Sequence, residues 1–262
     1  MTSFDLTPQG VRGMMRAGEW QKPTSGVSSS YVQANLVVLP KSMAYDFLLF
    51  CQRNPKPCPV LDVTEMGSAI PSIVAPEADL RTDLPKYRVY REGKLEKECT
   101  DITELWTEEM VGFLLGCSFT FEQALIENGI QMRHNEEEKN VPMYKTNIQC
   151  HPAGSFEGPM VVSMRPIKQE DVVRAVQVTS RFPSVHGAPV HIGNPESIGI
   201  NDINNPDFGD EVTIKEGEVP VFWACGVTPQ AVAMHMKPEL MITHAPGHMF
   251  ITDKKNEAYG IL

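Results

Sequence analysis

Apolar positions fall along this chain in short runs broken by proline, glycine and asparagine, a pattern of strands and short helices rather than long helical stripes. Residues 36–39 read as an apolar strand. Pro40 sits where a helix begins, and Met43, Phe47, Leu48 and Phe50 make a helical stripe that stops before Asn54-Pro55. With 60–63 as a second strand, the stretch 34–63 predicts a compact βαβ unit with parallel pairing. Residues 87–90 and 95–98, joined across Glu92-Gly93, predict a polar hairpin. The run Met-Val-Val-Ser-Met from Met160 predicts a buried strand ending at Arg165-Pro166, followed by a helix over 168–180. Residues 184–210, rich in Gly, Pro, Asn and Asp, predict loops and short strands. Alternating elements of this kind argue for an α/β or mixed fold.

Two segments 108 positions apart share one plan: Phe113-Leu-Leu-Gly-Cys117-Ser-Phe-Thr120 and Val221-Phe-Trp-Ala-Cys225-Gly-Val-Thr228. Each is an apolar strand that runs through a cysteine to a threonine where a helix should open. Thr120 with Gln123 has the form of a capping box, Thr228 precedes a proline suited to a first helical position, and Asn128-Gly129 closes the first helix. A thiol between a strand end and a helix N-terminus feels the positive end of the helix dipole, which lowers its pKa. The unpaired N–H groups there also suit a carboxylate. Two such units facing each other would set two thiols on either side of one small acid. Buried packing cysteines are the plainer alternative, and it stays open.

Composition limits the partners. In 262 residues the net charge is −10, with 42% hydrophobic and 21% charged positions, enough apolar side chains for one large domain or two modest ones. No Lys/Arg cluster offers a footprint for nucleic acid, and anionic membranes are disfavoured for the same reason. The N-terminus lacks the apolar core of a signal peptide and no apolar run approaches the ~20 residues of a span, so a cytoplasmic protein is expected. Six cysteines without a CxxC pair read as reduced thiols. The 21 prolines, about 8% against a usual ~5%, imply many rigid, non-helical connections.

His186 and His191 lie in one Gly/Pro loop, and His244 and His248 in another. The second pair has metal-edge spacing, but Pro246-Gly247 between them argues against a helix. Loops carrying Asp202, Asp207 and Asp210 leave a divalent metal open, although Pro206 and Asp207 spoil a calcium loop and these residues also form turns. No cofactor is required. Four histidines around Cys225 point to at least one catalytic imidazole. Arg165, ending a buried strand, could clamp a carboxylate with two hydrogen bonds or form an internal ion pair. No GxxxxGK[ST], GxGxxG, HExxH or GxSxG motif is present, which leaves nucleotide chemistry and standard serine hydrolysis without support.

Eight ordered blocks resemble the D-glutamate cyclase family of hydro-lyases: Asn54-Pro-Lys-Pro-Cys58-Pro, Thr82-Asp-Leu-Pro-Lys-Tyr-Arg88-Val-Tyr, Gly116-Cys-Ser-Phe, Val141-Pro-Met-Tyr144, Val161-Val-Ser-Met-Arg165-Pro, His186-Gly-Ala-Pro-Val-His191, Pro220-Val-Phe-Trp-Ala-Cys225-Gly-Val-Thr-Pro-Gln230 and Ile242-Thr-His244-Ala-Pro-Gly-His248. The resemblance implies a bacterial single-module member with an α/β fold, a mixed-sheet sandwich over 1–115 plus 225–262 with a smaller α+β domain inserted over 116–224. It also implies dehydration of a small amino or hydroxy acid. In the animal relative, where the region is joined to a further domain, the reaction is D-glutamate to 5-oxo-D-proline and water. The residues then suggest Cys117 and Cys225 near the reacting carbon and His186 or His191 as base. Arg165 and the helix N-termini at Thr120 and Thr228 would hold carboxylates, with His244 and His248 also contacting the substrate. A two-cysteine racemase and a non-catalytic metabolite-binding regulator are the rival readings. A homo-oligomer stays open.

Overall fold

Strand β1 (Tyr31–Pro40), buried from Val32 to Leu39, organises the larger of two sheets in the computed structural model, which describes residues 6–261. The first five residues of the N-terminal stretch read above lie outside that range. One edge of β1 pairs antiparallel with β5 (Met110–Gly116). Its other edge is shared by β10 (Met241–His244) and β11 (Phe250–Lys255), each covering about half of it. Beyond β5 lies β2 (Val60–Val63), and beyond β10 lie β3 (Tyr87–Arg91) and β4 (Lys94–Cys99), all antiparallel.

The parallel βαβ pairing expected over 34–63 is therefore corrected. Helix α2 (Lys41–Arg53) does connect β1 to β2, but β5 lies between them, so the two strands share a direction without touching. All seven residues of β5 are buried, which suits the interior position better than the four-residue β2. The β3–β4 hairpin forms as expected. Glu92 (φ 49°) and Gly93 (φ 74°) both take the left-handed region that a two-residue turn matching the strand twist requires.

The second sheet, in the order β6 (Met143–Gln149), β7 (Pro159–Lys168), β9 (Glu218–Ala224) and β8 (His191–Ile192), is also antiparallel. Strand β7 runs through Pro166 to Lys168 instead of stopping at Arg165. The Met164 N–H bonds the Pro142 carbonyl on the β6 side, so the nitrogen of Pro166 faces the same side, past the point where β6 begins, and no ladder bond is lost. Pro166 pairs across with Pro220.

Alternation along β7 and β9 puts Arg165, Ile167, Val221 and Trp223 on one face, where they meet α3 (Phe119–Glu127) and α5 (Val172–Ser180) through Phe121, Leu125 and Ala175. In the first sheet Val37, Leu39, Phe113 and Leu115 meet α2 and α6 (Val227–His235) through Phe47, Phe50 and Val232. The opposite face packs on the long 64–86 connection, with α1 (Pro8–Arg16) against β11. All six cysteines are free thiols. The chain thus has a mixed α/β fold made of two antiparallel sheets with helices; α3 follows a strand of the first sheet and packs on the second, and α6 follows a strand of the second and packs on the first. Among the described residues no helix is long and apolar enough to cross a membrane.

Candidate active site

Both units of the repeat fold alike. β5 ends at Gly116, Cys117 follows and α3 opens at Phe119; β9 ends at Ala224, Cys225 follows and α6 opens at Val227. The likeness goes further than the sequence showed. Thr120 and Thr228, the second residue of each helix, both latch onto the strand beside their own. Thr120 Oγ1 accepts the Gln33 N–H of β1 at 3.4 Å, and Thr228 Oγ1 accepts the Val161 N–H of β7 at 2.9 Å while donating to the Val161 carbonyl at 3.1 Å. These threonines are spent on structure. The expected capping box does not form, because α3 begins at Phe119 and neither Ser118 nor Gly226 caps through a side chain.

The fourth residue of each helix holds a histidine. Glu122 Oε2 lies 3.3 Å from His134 Nε2, on the short helix α4 (Arg133–Glu136), and Gln230 Nε2 donates to His244 Nδ1 at 2.8 Å. Asn35 of β1 ties the two units together by donating to the Gly116 carbonyl at 2.7 Å while its amide packs on Gly226. A Cβ on Gly226 would stand 2.1 Å from Asn35 Nδ2, so only glycine admits this contact.

The units converge. Cys117 and Cys225 line one narrow cleft of about 40 Å³ with Asn35, Gln230, His244 and Met249. The Phe119 N–H is directed at the Cys117 thiol and the Val227 N–H at the Cys225 thiol, as the helix positions require. The depressed thiol pKa expected there is nonetheless corrected: burial outweighs the helix ends, pushing Cys225 up to about 11 and Cys117 well above its ordinary range, with Cys225 and Glu122 adding to the latter. Both thiols are protonated in the closed cleft. His244 is also neutral, driven down to about 4 chiefly by burial.

Behind the cleft runs a buried ion chain. Arg165 donates from Nε to Glu122 Oε1 at 2.9 Å and from Nη2 to the same oxygen, while Nη2 also reaches Ser118 Oγ and Nη1 reaches Ser163 Oγ, each at 2.9 Å. Its guanidinium packs against both Phe121 and Trp223, 5.3 and 5.5 Å from their ring centroids, beside the contact those two rings make with each other. Burial works against the Glu122 charge, but Arg165 and His134 overcome it and hold the carboxyl down to about 2. Of the two roles open to Arg165, it takes the internal ion pair. Glu122 and His134 also line a wider, open cleft of about 620 Å³ with Gln33, and Phe119 and Asn140 border both clefts.

The structure does not bring His186 or His191 to the thiols. His186, at a left-handed φ of 84°, donates from Nδ1 to the Lys56 carbonyl at 2.9 Å and sits on a turn whose Ser184 carbonyl presses on Gly116. Burial lowers its pKa to about 4. His191 Nε2 bonds the Asn194 carbonyl at 2.7 Å at the rim of the second sheet. His248 bonds the Pro246 carbonyl at 2.8 Å just beside the cleft wall. Asp202 accepts the Asn204 N–H as a turn residue does, while Asp207 and Asp210 accept the Lys145 and Asn140 N–H groups and tie their loop to the start of β6. Among the described residues no three His, Cys, Asp or Glu side chains gather as metal ligands. Asn35, Ser118, Glu122, His134 and Gln230 were not singled out from the sequence. The available signal was a polar residue inside an apolar element, such as Asn35 in β1 or Glu122 in α3.

Comparison with known proteins bears on this cleft. The sequence profile described as D-glutamate cyclase matches residues 111–253, a span holding both strand–cysteine–helix units and His244. A Geobacillus kaustophilus protein named "Putative hydro-lyase" is 72% identical over 257 residues, 98% of each chain. Proteins bearing the same description from Bacillus subtilis (65% over 257 residues, 98% of this chain and 100% of that one) and Stutzerimonas stutzeri (62% over 258 residues, 98% and 97%) are similar throughout. A solved nitrogen repressor-like protein from Methanococcus jannaschii aligns over 96% of this chain and 99% of its own at 10% identity, with a TM-score of 0.38, too low to support an argument.

Proposed function

The chain belongs to the D-glutamate cyclase family and is classed with its hydro-lyases, and from that premise we propose that the two-thiol cleft dehydrates a small amino or hydroxy acid, with cyclisation of D-glutamate to 5-oxo-D-proline as the reaction. One observation carries this reading: two thiols, each at a helix N-terminus, open on a single cleft beside a neutral imidazole. In the cyclisation a C–N bond forms between the α-nitrogen and the γ-carboxyl carbon, and one C–O bond of that carboxyl breaks. The two protons given up by the ammonium group depart on the released oxygen as water, so no net proton is consumed. A thiol on either side of the reacting carbon suits that internal transfer. The positive ends of the two helix dipoles favour the carboxylates, although their first N–H groups already face the thiols and the Cys117 and Cys225 carbonyls, and fixing amine and carboxyl in attack geometry supplies on the order of 7 kcal/mol of the barrier in favourable intramolecular cases.

This assignment replaces His186 and His191 as base, since neither reaches the cleft. It needs no cofactor and goes with a cytoplasmic location and a small acidic metabolite as partner. Because the net charge is −10, attraction of an acid must be local. The test is purified protein with D- and L-glutamate, following 5-oxoproline. Turnover of the D-enantiomer is expected, lowered about 10²-fold or more in Cys117→Ala and in Cys225→Ala; no turnover of either enantiomer removes glutamate as substrate. The facing thiols also suit a racemase, which would show solvent deuterium at the α-carbon, abolished in both variants. Tight binding without product would instead favour a metabolite-binding regulator.

A further inference from the structure

His244 sits at the end of β10, one register step beyond the Val37–Thr243 pair, where the β1–β10 ladder stops. At that step the Leu36 N–H of β1 turns to the imidazole and donates to His244 Nδ1 at 3.1 Å. A backbone N–H can only donate, so Nδ1 must present its lone pair. Gln230 Nε2, from the fourth residue of α6, approaches the same ring nitrogen at 2.8 Å. The Leu36 carbonyl also stands 3.4 Å from Nδ1 and the Gln230 amide nitrogen 3.5 Å from Nε2, but both donors on Nδ1 are closer, so the single proton of the neutral ring belongs on Nε2.

We infer that Gln230 is a positioning residue which, together with the Leu36 N–H, locks His244 as the Nε2–H tautomer, so that the imidazole offers the cleft a fixed hydrogen-bond donor for an acceptor oxygen of the bound acid. Glu122 places the opposite chemistry at the same helical position, a carboxylate oxygen 3.3 Å from a ring nitrogen of His134. The titratable groups that act on His244 through charge, His248 and Arg88, are both basic and work against a second proton on the ring. A ring so held cannot take a proton at Nδ1 without losing both donors, so it polarises an oxygen instead of acting as base. The donor role rests on reading the thiol cleft as the substrate site; the tautomer does not.

The experiment separates the two. Long-range ¹H–¹⁵N spectra of the full chain labelled at histidine nitrogen need no substrate. His244 should show a bare Nδ1 and a protonated Nε2, unchanged from pH 8 to pH 5.5. A proton on Nδ1, or titration near the ordinary 6.5, overturns the inference whatever the substrate proves to be. Gln230→Glu should move the ring to the doubly protonated form at neutral pH and shift its titration upward, whereas Gln230→Ala, which keeps the Leu36 N–H, should retain the Nε2–H signature. If Gln230→Glu leaves the ring signals where they are, Gln230 does not set the tautomer. With an active substrate in hand, Gln230→Glu should also cut kcat by ~10²-fold or more with a smaller change in KM; equal turnover of the two proteins would count against the donor role alone.

Discussion

The two strand–cysteine–helix units are built on one backbone plan and satisfied by opposite chemistry. After Cys117 the helix opens on Ser118 and carries Glu122, whose charge is balanced by Arg165 and His134 in a buried ionic chain packed against Phe121 and Trp223. After Cys225 it opens on Gly226 and carries Gln230, which meets His244 with no charge involved. A repeated fold unit therefore fixes where polar groups stand and leaves their ionisation free to diverge. For a site that moves protons between two sides of one molecule, such an imbalance between like halves is useful.

Removing Arg165 should give the largest departure between the halves. Arg165→Met leaves Glu122 buried with only His134 for company, and a loss of about 3–5 kcal/mol is expected in urea unfolding. Gln230→Leu at the neutral half should cost about 1 kcal/mol, because Leu36 still serves His244. Equal losses would erase the distinction between charged and neutral halves.

Acid should separate the halves along the pH axis. His244 has its folded pKa pushed down to about 4, so its contribution is whole above the unfolded value near 6.5 and is lost as pH falls from 6.5 to 4, by about 3 kcal/mol. His186, also held near 4, falls in the same window. Glu122, held at about 2 from an ordinary 4.5, contributes fully above pH 4.5 and gives way between 4.5 and 2. Unfolding free energy measured from pH 7.5 to 2.5 should thus fall in two stages, and His244→Phe should flatten part of the first while leaving the second. A single transition in both proteins would mean that the halves do not titrate separately.

The last comparison concerns the contact that joins the two units. Gly226→Ala places a methyl against Asn35 and should cost about 1–3 kcal/mol, with most of it recovered in the Gly226→Ala, Asn35→Ala double variant. Additive losses would show that Asn35 is not what demands glycine.

Local features were legible from sequence and contacts across the chain were not. The β3–β4 turn, the helix after Pro40 and the shared plan around the two cysteines are all written within a dozen residues. Strand β1 begins at Tyr31, ahead of the expected 36, because Gln33 and Asn35 interrupt its apolar run. Those side chains are buried: the Gln33 amide donates to the Thr24 and Val27 carbonyls, and Asn35 reaches β5. Insertion of β5 between β1 and β2 depends on a strand far downstream, so a local βαβ reading could not contain it. Arg165 finds Glu122 43 positions away, and only the alternation of β7 beneath α3 brings them together. His186 was attractive as a base because four histidines cluster in sequence around Cys225, yet its loop folds back onto Gly116, its ring bonds the Lys56 carbonyl and it does not line the thiol cleft.

The thiol cleft, at about 40 Å³, has room for a few waters and none for a five-carbon diacid. Admitting such a molecule means parting Phe119, Val141 and Met249, which come from three separate stretches of chain. Measured affinity for any substrate is then its intrinsic affinity scaled down by the small fraction of time the walls stand apart. Substitutions that trim Val141 or Met249 would tighten apparent binding without adding a single contact to the ligand, and would do so by making the empty protein less content to stay shut.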